Sequence, residues 1–171
     1  MTAHRQTKEA QEKDNDDLRS LYQEIILDHG KSPRNMRVVE HATCTAKGNN
    51  PMCGDKVTVS ARVKNGVIED LAFEGKGCAI SIASASMMSQ ALKGRTTDAA
   101  RRLMAAVQGL CTGKADVAQA KAAVPELTEA VDELAALSGV RQFPTRVKCA
   151  TLPWQALVSC LDGAGTATTE K

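Results

Sequence analysis

Aromatic residues are nearly missing from this chain, which has one Trp, one Tyr and two Phe among 171 residues. A core must then be assembled from aliphatic side chains, Met and many Ala, a composition suited to close-packed helices. With so few rings and a net charge of only +2, the chain lacks the basic, stacking surface that single-stranded nucleic acid requires, so no nucleic-acid partner is expected. No run approaches the roughly 18 apolar residues that span a bilayer, so no membrane partner is expected either. The first sixteen residues have no apolar stretch of the signal-peptide kind. A cytoplasmic location follows as the expectation, and with it reduced thiols. There is no C-x-x-C pair, no internal repeat and no linker that would split the chain, whose length suits one domain.

What the chain does have is six cysteines and a clear order of local patterns. Residues 1–16 are polar and mixed in charge and read as a disordered arm. Residues 17–162 read as a single domain, and residues 163–171 as a flexible tail. Leu18, Leu21, Tyr22, Ile25 and Ile26 recur at helical spacing until Lys31-Ser32-Pro33 breaks the pattern. Residues 35–54 are rich in turn formers and read as loop with at most a short edge strand. Val57, Val59, Ala61 and Val63 alternate with polar residues, and Asn65-Gly66 signals a tight hairpin into a second strand from Val67. After Cys78 the period becomes helical and stays so. Ile80, Ala83, Met87 and Ala91 form the first stripe, and a last helix is expected from about Thr151, with Pro153 in its first turn. The predicted class is α+β, a small antiparallel sheet (a hairpin with a possible edge strand) packed against a set of helices.

The chemistry concentrates at Cys53-Gly54-Asp55, where a thiol and a carboxylate stand either side of a conformationally permissive glycine. Cys78 follows the second strand and Cys149 precedes the expected last helix. The hairpin brings the Cys53 and Cys78 ends of its strands together. Three thiolates and one carboxylate make a four-ligand set suited to tetrahedral Zn²⁺, to a nascent iron–sulfur unit or to sulfur handling, not to Mg²⁺ or Ca²⁺. Helix N-termini beside Cys78 and Cys149 would lower both thiol pKa values, and Lys76, Arg146 and Lys148 add positive charge. Unrelated buried thiols are the competing interpretation, and spacing alone does not choose between the two. Cys111 and Cys160 fall on amphipathic helices and read as core residues, whereas Cys44 stays open. His29 reads as a helix C-terminal cap, His41 as a solvated loop residue and Met87-Met88 as core filling.

Several ordered motifs carry a family resemblance. They are Leu21-Tyr22-Gln23-Glu24-Ile25-Ile26-Leu27-Asp28-His29, Ser32-Pro33-Arg34-Asn35, Gly48-Asn49-Asn50-Pro51-Met52-Cys53-Gly54-Asp55, Phe73-Glu74-Gly75-Lys76-Gly77-Cys78-Ala79-Ile80-Ser81 and Phe143-Pro144-Thr145-Arg146-Val147-Lys148-Cys149. Together they resemble the U-type iron–sulfur cluster assembly proteins over roughly Leu18 to Leu161. Scaffold members of the IscU type carry His immediately before the third cysteine, where this chain has Lys148. An Ala-rich stretch near Gly113 to Pro125 looks like the insertion of the SufU-type members. The resemblance implies a SufE/NifU-like fold and a zinc-dependent sulfurtransferase acting in iron–sulfur cluster biogenesis. It implies Zn²⁺ on Cys53, Asp55, Cys78 and Cys149, sulfur acceptance by Cys53, and a docking or opening role for Arg146. The implied partners are a PLP-dependent cysteine desulfurase of the SufS type and downstream iron–sulfur assembly proteins. The alternative it leaves is a non-enzymatic scaffold carrying a transient [2Fe–2S] cluster.

Overall fold

Two turns organise the sheet. At Asn65-Gly66 both residues take positive φ (53° and 75°), the backbone of a two-residue turn that matches strand twist. That turn joins β2 (Asp55–Lys64) to β3 (Val67–Lys76) in antiparallel register, with Lys64 opposite Val67 and Lys56 opposite Lys76. Residues 51–54 form the other turn and join β1 (Cys44–Asn50) to β2, with Asn50 opposite Asp55. The computed structural model describes the backbone of residues 2–168 and the side chains of residues 7–165. A short β4 (Thr166–Thr168) pairs in parallel with β1, giving the strand order β3-β2-β1-β4. The β4 residues fall in the stretch the sequence assigns to a flexible tail, and residues 169–171 lie outside those described.

The helices are α1 (Thr2–Lys31), α2 (Ala79–Leu92), α3 (Thr97–Thr112), α4 (Val117–Ala123), α5 (Thr128–Leu134) and α6 (Pro144–Asp162), with 3₁₀ segments at Pro125–Leu127 and Ala135–Gln142. The fold is α+β, as the sequence predicts. No helix of the described residues is long and apolar enough to cross a membrane. The core contains Phe73, Ile68 and Leu71 from β3, Met88 and Leu92 from α2, and Trp154 and Leu157 from α6, all buried.

Several elements differ from the sequence expectation. α1 begins at Thr2, so helical backbone covers residues 2–16, which the sequence reads as a disordered arm. That stretch is dense in Ala, Gln, Glu and Lys, good helix formers, and the docked half of α1 supplies the nucleus they extend. Side chains 7–21 are all exposed. In α2 burial is not confined to the expected single apolar stripe but takes in every residue from Ser81 to Ser89, because α1, α5, α6 and β3 all pack on this helix. Its buried serines are satisfied: Ser84 donates to the Ala150 carbonyl (2.6 Å) and accepts from Trp154 Nε1 (3.0 Å). Finally, α6 starts at Pro144, not near Thr151. Pro144 occupies the first turn, where no N–H is needed, and Pro153 lies inside the helix.

His29 is buried and does not act as an exposed helix cap. Its Nδ1 lies 2.7 Å from Ser86 Oγ and its Nε2 meets Glu133, so it ties α1 to α2 and α5. His41 is exposed on its loop, at φ 54°. The Ala-rich stretch forms α4, which opens on a capping box between Asp116 and Gln119 and packs on α3 through buried Ala120.

Candidate metal and sulfur site

Asp55 is the first residue of β2 and is fully buried, although it is a carboxylate. A buried carboxyl group must be hydrogen-bonded or paired, and two elements, α2 and β1, supply three partners. The Cys78 backbone N–H donates to Oδ1 at 2.9 Å from the start of α2. Ser81 Oγ lies 3.4 Å from the same oxygen, and Asn50 Nδ2 donates to Oδ2 at 3.3 Å from the end of β1. Buried Asn50 also reaches the Cys149 sulfur at 3.6 Å. The carboxylate is thus held in place before any cation is considered.

Around it gather the thiols. Ligand atoms of Cys53, Asp55 and Cys149 all lie within 4.8 Å of one another. Cys53 is exposed on the β1–β2 turn, whose last residue, Gly54, takes φ 72°. That left-handed backbone turns the chain back so that Cys53 and Asp55 face one point. Cys149 is buried in the second turn of α6, with its sulfur 3.5 Å from the Thr145 carbonyl. Cys78 is the half-buried N-cap residue of α2 and borders this group: its sulfur lies 3.9 Å from Ser81 Oγ and close enough to Cys149 to disfavour a second thiolate there.

Electrostatics depart from the sequence expectation at Cys149. Burial first, and then Asp55, Cys53 and Cys78, push its thiol well above the usual range, where a helix N-terminus was expected to lower it. The reason is the extra helical turn begun at Pro144, which sets Cys149 five residues into α6 and away from the dipole's positive end. Pro153 lacks an N–H and leaves the Cys149 carbonyl without its usual helical donor. Of the three basic residues predicted nearby, Arg146 is the one the structure shows in contact with sulfur. Its guanidinium faces Cys78 and then Cys149, which hold it above its ordinary pKa.

A donor set of soft sulfurs and one oriented carboxylate fits a thiophilic divalent cation. The other cysteines stay outside it. Cys111 is buried in α3 and its thiol is pushed up to about 12 by burial alone, an inert core residue as predicted. Cys44 and Cys160, expected as reduced thiols, are joined in a disulfide. The two are 116 positions apart and meet only because β1 lies along α6, which sequence spacing cannot reveal.

Sequence reasoning gave no role to Asn50, Gly77 or Ser81. A Cβ on Gly77 would stand 2.3 Å from Ser81 Oγ and 2.6 Å from Asp55 Oδ1, so the glycine makes room for the carboxylate. The signal for Asn50 was its place opposite Asp55 across a four-residue turn. From Arg146 a cavity of about 1100 Å³ runs between α1 and the 135–142 segment, lined by Leu18, Arg19, Tyr22, Arg141 and the half-exposed Phe143 among others.

Comparison with known proteins agrees with this geometry. The family described as NifU-like N terminal domain matches residues 21–150. The chain is 39% identical over 145 residues to the zinc-dependent sulfurtransferase SufU of Bacillus subtilis, covering 84% of this chain and 90% of that one. It is 36% identical over 140 residues to the iron–sulfur cluster assembly scaffold protein IscU of Streptococcus pyogenes, covering 82% of each. A crystal structure from Fervidobacterium islandicum AW-1, named a candidate iron–sulfur cluster assembly scaffold protein for the SUF system, superposes with a TM-score of 0.66. It is 32% identical, over 81% of this chain and 94% of that one. On the extent of these matches, the chain belongs to the NifU-like N-terminal domain family.

Proposed function

We propose that this protein is a zinc-dependent sulfur acceptor and transfer protein in iron–sulfur cluster biogenesis. The observation that carries the reading is the division of exposure within the cluster: Asp55 and Cys149 are buried and fixed, whereas Cys53 stands exposed on a turn. The proposed ligands are Cys53, Asp55, Cys78 and Cys149. Bound there, zinc would keep thiolates deprotonated without redox chemistry of its own.

Cys53 is the proposed acceptor. Its thiolate attacks the terminal sulfur of a donor persulfide, a new S–S bond forms at Cys53, the donor's S–S bond breaks, and the donor cysteine leaves as a thiolate. No external oxidant is consumed. Asn50 and Ser81 hold Asp55 in place through the exchange. Arg146 lies beside Cys78 and Cys149 at the mouth of the cavity along α1, a position suited to steering an anionic persulfide and to docking the protein that presents it. The proposed donor is a PLP-dependent cysteine desulfurase, the proposed acceptors are iron–sulfur assembly proteins, and the proposed location is the cytoplasm.

A scaffold role is the second reading, favoured by the three thiols and by the IscU likeness. Lys148 stands against it, since an ammonium supplies no ligand where scaffold members carry an imidazole.

The test pairs metal analysis with a desulfurase assay. One Zn²⁺ per chain is expected. The Cys53→Ser variant, with its fold intact by circular dichroism, should lose at least tenfold of the wild type's stimulation of a cognate cysteine desulfurase. Undiminished stimulation would overturn the acceptor role. A visible [2Fe–2S] absorbance after anaerobic reconstitution, passed on to an apo ferredoxin, would move the assignment to the scaffold.

A further inference from the structure

The Cys44–Cys160 disulfide occupies a defined place relative to the cluster. β1 and α6 lie side by side and are joined at both ends. At one end Asn50 hydrogen-bonds the Cys149 sulfur. At the other the first residue of β1, Cys44, is bonded to Cys160 near the end of α6. The spans agree: six strand steps of about 3.3 Å come to ~20 Å, and the eleven helical steps from Cys149 to Cys160 at about 1.5 Å come to ~16 Å. Between the two ends, Gly48 lets the strand approach the helix, since a Cβ there would lie 3.0 Å from Leu152 and 3.2 Å from Ala156. On its far side, among the described residues, β1 has the three-residue β4 beside it.

We propose that Cys44–Cys160 is a redox-operated clamp that holds α6 on β1 and thereby governs how firmly the Cys149 side of the cluster retains its metal. With the disulfide formed, α6 stays registered on the strand even when the metal is absent, and Cys149 is presented ready-made. With it reduced, the metal becomes the principal cross-link between the β1–β2 turn and α6, and fraying of one end of the β1–α6 pair weakens the other.

The chemistry is ordinary exchange with a dithiol reductant. One reductant thiolate attacks Cys44 or Cys160 and forms a mixed disulfide. The second reductant thiol then closes on the first, and both cysteines leave as thiols, having taken up two electrons and two protons. Access exists, because Cys44 is only half-buried and a cavity of about 390 Å³ lies against the bridge, lined by Thr43, Val63, Arg101 and Asp162 among others.

The inference rests on the cluster holding a metal, not on sulfur transfer, and two readouts keep those failures apart. The first is release of Zn²⁺ from the loaded protein into the chelator 4-(2-pyridylazo)resorcinol. Release should be at least fivefold faster for phosphine-reduced wild type and for Cys44→Ala/Cys160→Ala than for oxidised wild type, and the double variant should not respond to the phosphine. The second is amide hydrogen exchange of the metal-free protein, in which β1 and the second half of α6 should exchange at least fivefold faster once the bridge is open. Cys44→Ser alone serves where the double variant does not fold. Release and exchange rates within twofold across the oxidised, reduced and variant proteins would overturn the clamp. So would alkylation of Cys44 and Cys160 in aerobically purified protein before any reductant is added.

Discussion

At the residue scale the site turns on how one buried carboxylate is held and aimed. Among the described residues Asp55 is held by the Cys78 N–H, Asn50 and Ser81 and faces the Cys149 thiol, with no Lys or Arg ion pair, and that arrangement suits an incoming cation better than a permanent ion pair. Gly77 is the least replaceable member. An added methyl would push on Ser81 Oγ, which can rotate away, and on Asp55 Oδ1, which cannot move without breaking its bonds. Gly77→Ala is therefore expected to destabilise the fold by about 1–3 kcal/mol, the usual cost of overpacking. It should also weaken Zn²⁺ binding by roughly tenfold or more, as loss of ligand-orienting contacts does. Adding Ser81→Ala should recover part of the stability but not the affinity, because only one of the two collisions is relieved. Urea unfolding together with competitive chelator titration checks both. Zinc affinity of Gly77→Ala within twofold of wild type would mean that Asp55 is not held as described.

At the element scale, segments reached from far along the chain are fastened by polar contacts that local sequence does not reveal. The segment after α1 lies against β3 through the Arg37 N–H to the Phe73 carbonyl and the Phe73 N–H to the Asn35 carbonyl. Arg37 then forks onto Asp70 at 2.7 and 3.0 Å, with Lys93 3.4 Å from the same carboxylate. Hydrogen bonding from Arg37 comes first among the causes that bring the Asp70 carboxyl down to about 2. A depressed carboxylate pKa contributes stability at all pH values above the unfolded-state pKa near 4 and loses it as pH falls towards 2. Wild type should thus lose stability over that window, and Asp70→Asn should show a shallower acid loss from a starting point about 1 kcal/mol lower at pH 7. Urea midpoints between pH 2 and 7 measure this, and parallel curves for the two proteins would contradict it. Such contacts also mark the limit of what was legible. The hairpin is readable because alternation and Asn65-Gly66 are local signals, and so is the nearness of Cys78 to Asp55, because the hairpin brings those strand ends together. The start of α6 is not legible from periodicity, because Pro144 opens the helix as an N-terminal proline and places Cys149 in its second turn. Ser81, Ser84, Ser86 and Ser89 look like the polar face of α2 and are buried because α1, α5, α6 and β3 pack around it. His29 passed for a cap for the same reason, since its partners lie 57 and 104 positions away.

At the scale of the whole molecule, the question is which part of the chain the cluster depends on. The described core involves α1 from about Tyr22 onward, through Ile25, Ile26 and His29, while side chains 7–21 are exposed. A helix whose docked half is already formed extends by propagation alone, without the nucleation cost that makes short free helices marginal. Helical structure over residues 2–16 can therefore extend from the docked half, and side chains 7–16 are exposed. We take residues 17–162 as the working domain. A chain beginning at Asp17 should then melt within about 2 °C of the full protein, because removal of exposed side chains such as those of residues 7–16 changes stability by no more than about 0.5 kcal/mol. It should hold Zn²⁺ with unchanged affinity, and its far-UV spectrum should lose the helical signal of the fifteen residues from Thr2 to Asp16. A drop in melting temperature of 5 °C or more would show that the extension packs on the body of the fold. An unchanged far-UV signal would show that residues 2–16 are a disordered arm in solution, the state their polar composition alone predicts.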